Sequence, residues 1–283
     1  MFYKLLRKTK LGKILYKFYK NNEKFNEPFL YDERKAKKLK ETYSLSFCEE
    51  KINNHTFDLD IIVPCYNVVN TVERCLKSIM NSILKSKYNC RIIIVNDGSI
   101  DDTLKIINKT IHSFNNCLVI NQKNRGLSGA RNPGLDCLDS DYVMFVDSDD
   151  TISENCISLM LKSAKDNESD VVVGNYVVST SFIKNKIKFN HSVEKIPGFA
   201  WGKIYKSELW KDIRFYEGLW FEDTIIQTII LKLSRSISYI DEFVYCYKRN
   251  LKGISHSAKG NDKSLDSMIV YYLSLLEMNY KNI

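Results

Sequence analysis

Short apolar runs alternate with amphipathic segments over the middle of the chain. The apolar runs are predicted β-strands at residues 58–64, 90–97, 117–122, 142–146 and 170–178. The amphipathic segments are predicted helices at residues 69–86, 102–114, 126–138 and 153–166. Strands that alternate with helices imply right-handed crossovers. We therefore predict an α/β fold with a Rossmann-like, mostly parallel sheet that helices cover on both faces.

Polar residues of a particular kind follow three of these strands. The sequence "PCYN" occupies residues 64–67, "NDGS" occupies residues 96–99 and "DSDD" occupies residues 147–150. In open parallel sheets, ligands bind beyond the carboxyl ends of the strands. We therefore expect the three strand ends to converge on one crevice.

The stretch "YVMFVDSDD" places carboxylates at the exit of a buried strand. Asp147 and Asp149 are one residue apart, and two carboxylates on a turn are hard oxygen ligands for Mg2+ or Mn2+. Such ions usually complete their shell with water and substrate phosphates. A structural interpretation stands beside this one, since Asp150, Thr151 or Ser153 could cap the following helix.

Asp97, in "VNDGS", also has two interpretations. Asp-Gly-Ser is a common turn sequence. At the end of an apolar strand, however, the carboxylate could accept a hydrogen bond from a base NH group or a ribose hydroxyl. Neither a GxGxxG fingerprint nor a GxxxxGK[ST] loop occurs in the sequence, so we expect a nucleotide that is bound without either motif.

Composition and cysteine usage fit an ordinary globular protein. Hydrophobic residues make up 44% of the 283 positions, which is enough for one domain with appendages. The apolar runs are far shorter than the roughly 20 residues that span a bilayer, and no signal-peptide pattern opens the sequence. The eight cysteines are scattered without a CxxC pair, which indicates reduced, mostly structural thiols and a cytoplasmic setting.

The positive charge is concentrated at the start of the chain. Residues 1–40 contain 13 Lys and Arg against four Asp and Glu, a balance of +9, while the whole chain carries +8. The same segment has helical apolar spacing, which is typical of a basic amphipathic helix. It either contacts an anionic membrane surface or packs its apolar side on the main domain. No nucleic-acid partner is expected, because no recognition motif accompanies the charge.

Five segments taken together resemble the inverting GT-A glycosyltransferases of family 2, which build bacterial cell-surface polysaccharides. They are "IIVPCYN", "VNDGSIDDT", "NRGLSGARNPGL", "YVMFVDSDD" and "FEDT". The resemblance covers residues 58–257 and implies a GT-A fold there. It leaves residues 1–57 as a basic helical N-terminal extension and residues 258–283 as a C-terminal helical segment.

The resemblance also implies roles for individual residues. It makes Asp147 and Asp149 the cation ligands of the DxD motif, and His256 a third ligand unless it is simply exposed. It assigns Asp223 as the general base, with Glu222 beside it. The residues that it assigns to the nucleotide sugar are Pro64, Tyr66, Asn67, Asp97, Asn124, Arg131, Asp147, Ser148, Arg249 and Ser255.

Some of these residues have structural interpretations as well. Glu222 and Asp223 open a predicted helix, where acids are favoured by the helix macrodipole. Trp201 and Trp220 lie on the acceptor side and either stack on sugars or belong to the core. We expect at least one of the two tryptophans to be a core residue.

The function that the resemblance implies is transfer of a sugar from a nucleotide sugar, such as a UDP-sugar, to a hydroxyl of a glycan or lipid-linked acceptor. The cofactor would be Mn2+ or Mg2+. The place would be the cytoplasm, with peripheral membrane contact through residues 1–40, and a homo-oligomer is left open. Two alternatives are a catalytically silent docking subunit and a sugar-phosphate nucleotidyltransferase.

Overall fold

The structure is a computed structural model that describes residues 55–180, 184–188, 195–249 and 261–280. The basic segment 1–40 lies outside the described residues, as do Ser255 and His256. The predictions made for these positions therefore stay predictions.

The first half of the described chain builds a parallel sheet. Its strands are β1 (Phe57–Cys65), β2 (Cys90–Asp97), β3 (Cys117–Gln122) and β4 (Ser140–Phe145). Strand β1 pairs in parallel with both β2 and β4, and β2 pairs in parallel with β3. The intervening helices are α1 (Val72–Leu84), α2 (Thr103–Ile111) and α3 (Gly126–Asp136). The structure confirms all four strands and three helices predicted for this half.

The second half of the described chain adds three short strands that run against this direction and two longer strands that run with it. Its elements are β5 (Thr151–Ile152), α4 (Cys156–Asp166), β6 (Val171–Ser179), β7 (Lys184–Ile187), β8 (Lys203–Lys206), a 3-10 helix (Ser207–Trp210), a π-helical turn (Ile226–Ile230), α5 (Leu231–Leu233), β9 (Ile237–Lys248) and α6 (Asn261–Tyr280). Strands β5, β7 and β8 run against the parallel sheet, and β6 and β9 run with it. In the described part of the chain the strand order is β3-β2-β1-β4-β8-β6-β9-β5, with β7 on β6. Strand β8 is antiparallel to both β4 and β6. It therefore separates the two strands that the sequence led us to place in one parallel array.

The sheet has an apolar cluster on each face because its central strands are buried on both sides. Ile62, Ile93 and Phe145 face the cluster that α3, the 3-10 helix and the π-helical turn cover. Ile61 and Ile94 face the opposite cluster, which α1 and α4 cover. Buried residues recur every three or four positions along α1, so that one stripe of this helix packs on the sheet.

No described helix is both long and apolar enough to cross a membrane. Seven of the cysteines lie within the described residues, and none of these seven is in a disulfide. The redox state of these thiols stays a prediction.

A buried ion pair joins the starts of β1 and β2. The side chain of Asp60 is 0% exposed and accepts two hydrogen bonds from Arg91, from Nε at 2.7 Å and from Nη2 at 2.9 Å. Asp60 also accepts the amide of Asp139, and Arg91 donates to the carbonyl of Cys137. The pair thus fixes the loop that leads from α3 into β4.

We expect Arg91→Met to lower the free energy of unfolding by about 3 kcal/mol, because it leaves the Asp60 carboxylate buried without its cation. The matched control is Lys77→Met, which removes an exposed ion pair with Glu73 and should cost about 0.5 kcal/mol or less. Chemical denaturation of both variants measures the difference. Equal losses would contradict the structural importance of the buried pair.

Candidate active site

The loops after β1 and β2 hold each other at the edge of the parallel sheet. Cys65 lies opposite Asn96 in the register of the two strands, so both strands end at one level. The amide of Asn67 donates to Ser99 Oγ at 3.1 Å, and Asn67 Oδ1 accepts from the amide of Ile100 at 2.9 Å. Asn67 has a φ of 52°, a left-handed conformation that asparagine tolerates better than most residues. Of the residues predicted here, Pro64 is buried inside β1, whereas Tyr66 is 48% exposed beside the loops.

Asp97 anchors the start of α3. It is 1% exposed, and its carboxylate accepts from Gln122 Nε2 at 2.7 Å, the amide of Arg125 at 2.9 Å and the amide of Gly126 at 2.9 Å. The side-chain amide of Asn124 donates to the Asp97 carbonyl at 3.1 Å. Both residues thus tie the second and third strand ends together, and their predicted contacts with a nucleotide stay predictions.

The DxD turn follows β4 directly. The amide of Val146 donates to the Ile62 carbonyl at 3.0 Å, which continues the pairing of β4 with β1 up to the turn. Asp147 and Asp149 are partly exposed, whereas Ser148 and Asp150 are buried. Burial and the Asp147 charge raise the pKa of Asp149 above its usual value. Burial together with the Asp147 and Asp149 charges raises the pKa of Asp150 to about 8.

The helix-cap interpretation of this turn is wrong. Helix α4 begins at Cys156 with Asn155 as its N-cap residue, and no side chain caps it. Asp150 instead bonds to β9, where its Oδ2 accepts from the Tyr245 hydroxyl at 2.8 Å. The three carboxylates of the turn are therefore not explained by the helix that follows.

The donor set of the turn fits a magnesium or manganese ion. No group of three or more His, Cys, Asp or Glu side chains that could hold a metal occurs within the described residues. Such an ion is typically bound by one or two carboxylates together with substrate phosphates. Asp147 and Asp149 supply two carboxylates, and burial together with the Asp147 charge raises the pKa of Asp149. The two residues therefore match the protein's share of a cation site that substrate completes.

Arg131 joins the two halves of the site. Only 2% exposed on α3, it donates from Nη2 to Asp147 Oδ1 at 3.0 Å and from Nη1 to Glu222 Oε1 at 2.8 Å. Its guanidinium lies 5.2 Å from the centre of the Phe215 ring. Burial alone would lower its pKa, but Asp147, Glu222 and Asp223 raise the pKa of Arg131 above its ordinary value. The cation therefore remains charged and bridges carboxylates from opposite halves.

Glu222 and Asp223 form a turn immediately before the helix that contains the π-helical turn. Phe221, just before them, has a φ of 59°, which is strained for an aromatic residue. The Asp223 carboxylate accepts no hydrogen bond within the described part of the chain, and no side chain caps the helix. Burial and then the Glu222 charge raise the pKa of Asp223 to about 7, although Arg131 opposes the shift. Both acids thus lie at the start of the helix, where the macrodipole favours them, and this structural interpretation stands beside a role in proton transfer.

Sequence reasoning missed Lys203, which lies beside Asp223. This lysine on β8 is 0% exposed and donates to the Phe199 carbonyl at 2.7 Å. Burial lowers the pKa of Lys203 to about 7, and the Asp223 charge opposes that shift. The only sequence signal was a lysine inside the strongly aromatic segment "FAWGKIY".

The remaining predicted residues have mixed outcomes. Trp201 is 7% exposed and stacks on Phe199 at 3.7 Å and on Tyr245 at 4.6 Å, so the prediction of a core tryptophan is confirmed. Trp220 is partly buried, and its amide donates to Asp266. Arg249 is exposed at the end of β9, where its amide donates to the Ser179 carbonyl, and its contact with a diphosphate stays a prediction.

Comparisons with known proteins agree with this arrangement. The profile of glycosyl transferase family 2 matches residues 60–222, inside the predicted domain. Glycosyltransferase GlyA of Streptococcus pneumoniae is 31% identical over 248 residues, which are 78% of this chain and 35% of GlyA. The minor teichoic acid biosynthesis protein GgaB of Bacillus subtilis is 27% identical over 243 residues, 78% of this chain and 27% of GgaB. The chain thus spans about a third or less of the length of these two relatives.

Solved structures show the same fold. The crystal structure of S. aureus TarS residues 1–349 in complex with UDP-GlcNAc has a TM-score of 0.59 and 25% identity, and the match covers 72% of this chain and 61% of that one. The predicted GT-A fold, with helices on both faces of a twisted α/β sheet, is therefore confirmed. The family profile spans more than half of the sequence, and the chain belongs to glycosyl transferase family 2.

Proposed function

We propose that the protein is an inverting glycosyltransferase that moves a sugar from a nucleoside diphosphate sugar to an acceptor hydroxyl. One observation carries the proposal. The Asp223 carboxylate accepts no hydrogen bond within the described residues and has a pKa raised to about 7, while its neighbour Glu222 is joined through Arg131 to the DxD turn. This arrangement supports a base at Asp223 and a donor site at the DxD turn that are held at a fixed relative position.

The donor would lie over the carboxyl ends of β1, β2 and β4. The exposed ring of Tyr66 and the loop that contains Asn67 border this edge, and TarS, which shares the fold, was solved with UDP-GlcNAc. Asp147 and Asp149 would hold the cation, which when bound stabilises the negative charge that develops on the diphosphate leaving group. This assignment supports UDP-sugars as the first donors to test.

Asp223 would act as the general base. An acceptor hydroxyl must lose its proton as it attacks the anomeric carbon, and one positioned carboxylate can take that proton. A base works best when its pKa lies near the working pH, and burial has brought the pKa of Asp223 to about 7. A single displacement from the face opposite the diphosphate inverts the anomeric centre, so no covalent nucleophile is needed.

The acceptor that we propose is a hydroxyl of a cell-surface polymer or its lipid-linked precursor. GgaB, which is related to this chain, is named for teichoic acid biosynthesis. Membrane contact through residues 1–40 would place the enzyme near such a lipid-linked acceptor, and that contact stays a proposal because the segment lies outside the described residues.

A catalytically silent subunit is the main alternative. The structure disfavours it, because Asp147, Asp149, Glu222 and Asp223 are all present and Arg131 joins the two halves of the site. Nucleotidyl transfer is disfavoured by the absence of a Gly-rich, Lys-bearing opening loop from the sequence. Transfer or hydrolysis across a panel of UDP-, GDP- and dTDP-sugars tests the glycosyltransferase, and release of pyrophosphate from a nucleoside triphosphate and a sugar phosphate tests nucleotidyl transfer. A catalytically silent subunit gives none of these reactions.

The Arg131–Glu222 bridge should show strong energetic coupling. We expect a double-mutant cycle of Arg131→Met and Glu222→Gln, measured by chemical denaturation, to give about 1 to 3 kcal/mol, because the two side chains are only 3% and 12% exposed. Arg125 and Glu217 form a matched control pair of the same residue types at the surface, which should give about 0.5 kcal/mol or less. Equal coupling in the two cycles would argue against a special role for the bridge.

Nucleotide-sugar turnover should depend on a divalent cation. Excess EDTA should abolish transfer and added Mn2+ or Mg2+ should restore it, while Asp149→Asn should need much more cation because one of two carboxylate ligands is lost. Asp166→Asn, which removes an exposed carboxylate paired with Lys162, serves as the control and should behave like the wild type. Full activity in EDTA would rule out the cation site.

Asp223→Asn should leave the fold and UDP affinity intact and lower transfer by roughly 100- to 10,000-fold, the usual contribution of a positioned general base. Glu222→Gln should reduce transfer less, since its carboxylate bonds to Arg131 and does not take the proton. Steady-state transfer, UDP titration and melting curves are measured on the same preparations, and NMR of the product should show the anomeric configuration opposite to that of the donor. Wild-type turnover in Asp223→Asn would remove Asp223 from the mechanism.

The pH profile of transfer should follow the ionisation of Asp223. A general base must be deprotonated, and burial with the Glu222 charge raises the pKa of Asp223 to about 7. We therefore expect the transfer rate to fall as the pH is lowered through about 7 and to level off above it. The residual transfer rate of Asp223→Asn should not show this fall at low pH. A wild-type rate that is flat from about pH 5 to about pH 8 would contradict this assignment.

A further inference from the structure

A tyrosine on β9 reaches back to the DxD turn. Tyr245 is 1% exposed, and its hydroxyl accepts from the amide of Asp147 at 3.1 Å and donates to Asp150 Oδ2 at 2.8 Å. The pairing of β5 with β9 sets Ile152 opposite Tyr245 and so keeps this strand beside the turn. One hydroxyl therefore connects the backbone of the first DxD residue with the carboxylate that follows the motif.

Asp150 connects the DxD turn to β9. It is 0% exposed, and its Oδ1 accepts the amide of Lys248 at 2.6 Å while its Oδ2 accepts the Tyr245 hydroxyl. Its own amide donates to the Asp147 carbonyl at 3.0 Å. Both carboxylate oxygens are thus bonded to β9 in the interior, and the third acid of the turn has a different environment from the partly exposed Asp147 and Asp149.

The ring of Tyr245 is fixed from the other side by stacking. It lies 4.6 Å from the Trp201 ring with an interplanar angle of 12°. Trp201 in turn stacks on Phe199 at 3.7 Å. A tyrosine side chain has only two rotatable bonds, so a stacked and buried ring places its hydroxyl with little freedom. The direction of the hydroxyl is therefore set by packing and not by the turn that it contacts.

We propose that Tyr245 is a positioning residue for the cation site and acts through the hydrogen bonds of its hydroxyl to the turn 147–150. The inference rests on the proposed function, in which Asp147 and Asp149 hold the cation. Partners that bond to the ligand residues orient them, and their loss typically lowers metal affinity roughly 10- to 100-fold. Tyr245 contacts the backbone of Asp147 itself, so its removal would loosen the segment that carries both carboxylates.

The test is direct Mn2+ binding by the full-length chain in the presence of excess UDP, with free Mn2+ measured by EPR. Tyr245→Phe removes only the hydroxyl, and we expect Mn2+ affinity to fall about tenfold or more. Tyr142→Phe is the matched control, because Tyr142 is also buried and its hydroxyl donates to the Ser169 carbonyl at 3.0 Å, away from the turn. The control should bind Mn2+ like the wild type, although each variant loses one buried hydrogen bond.

The outcomes separate the inference from the proposed function. Wild-type Mn2+ affinity in Tyr245→Phe would overturn the inference and leave the glycosyltransferase proposal standing, as would an equal loss in Tyr142→Phe. A wild-type chain that transfers sugar but binds no Mn2+ would overturn both the cation site and the inference. If Tyr245→Phe does not fold, Asp150→Asn alters the same link from the other side and should also weaken Mn2+ binding. Unchanged affinity in that variant would overturn the inference as well.

Discussion

The site depends on one buried cation placed among three carboxylates. Arg131 is held on α3, and its guanidinium donates to Asp147 in the turn after β4 and to Glu222 in the turn before the π-helical turn. Without a cation there, acids from both halves would meet in an interior where unpaired charge is costly. The DxD turn and the turn at Glu222 and Asp223 are therefore fixed relative to each other by a single guanidinium.

The sequence was most informative where the sheet is buried on both faces. Strands β1, β2 and β4 are nearly continuous apolar runs, because helices cover them on both sides. Each can therefore be recognised as a strand from its own residues, without knowing which strand it pairs with. Strand β8 has only four residues and β5 only two, so their pairing depends on contacts with distant strands. The hydrophobic pattern of a short sequence segment does not reveal such pairing. For that reason β8, the antiparallel strand between β4 and β6, was not predicted from the sequence.

The same distinction holds for the site. Residue types at strand ends made Asp147, Asp149 and Asp97 candidates, because an acidic side chain there lies where ligands bind in parallel sheets. The hydrogen-bond partners of the site residues could not be predicted in this way. Arg131 and Glu222, for example, are 91 positions apart in the sequence, and no local pattern indicates that they form a pair. Asp97 shows the limit most clearly: its importance was predicted, but its carboxylate turned out to hold the start of α3. Tyr245 looked like any aromatic residue of a strand, and only the fold brings its hydroxyl to the DxD turn.

The π-helical turn at Ile226–Ile230 has a consequence for how this family member can change in evolution. Each residue of an α-helix turns the chain by about 100°, and a π turn accommodates one residue more than an α turn does. The helix downstream must keep Ile229 and Ile230 facing the core, whereas Glu222 and Asp223 upstream face the site. Because the π turn takes up one residue more than an α turn does, deleting one residue there would leave an α turn and nearly preserve the relative direction of the two groups, whereas the same deletion from a regular α-helical turn would rotate one group by about 100° relative to the other. The π turn is therefore the place in this helix where a single-codon deletion would leave the direction of the acidic pair nearly unchanged.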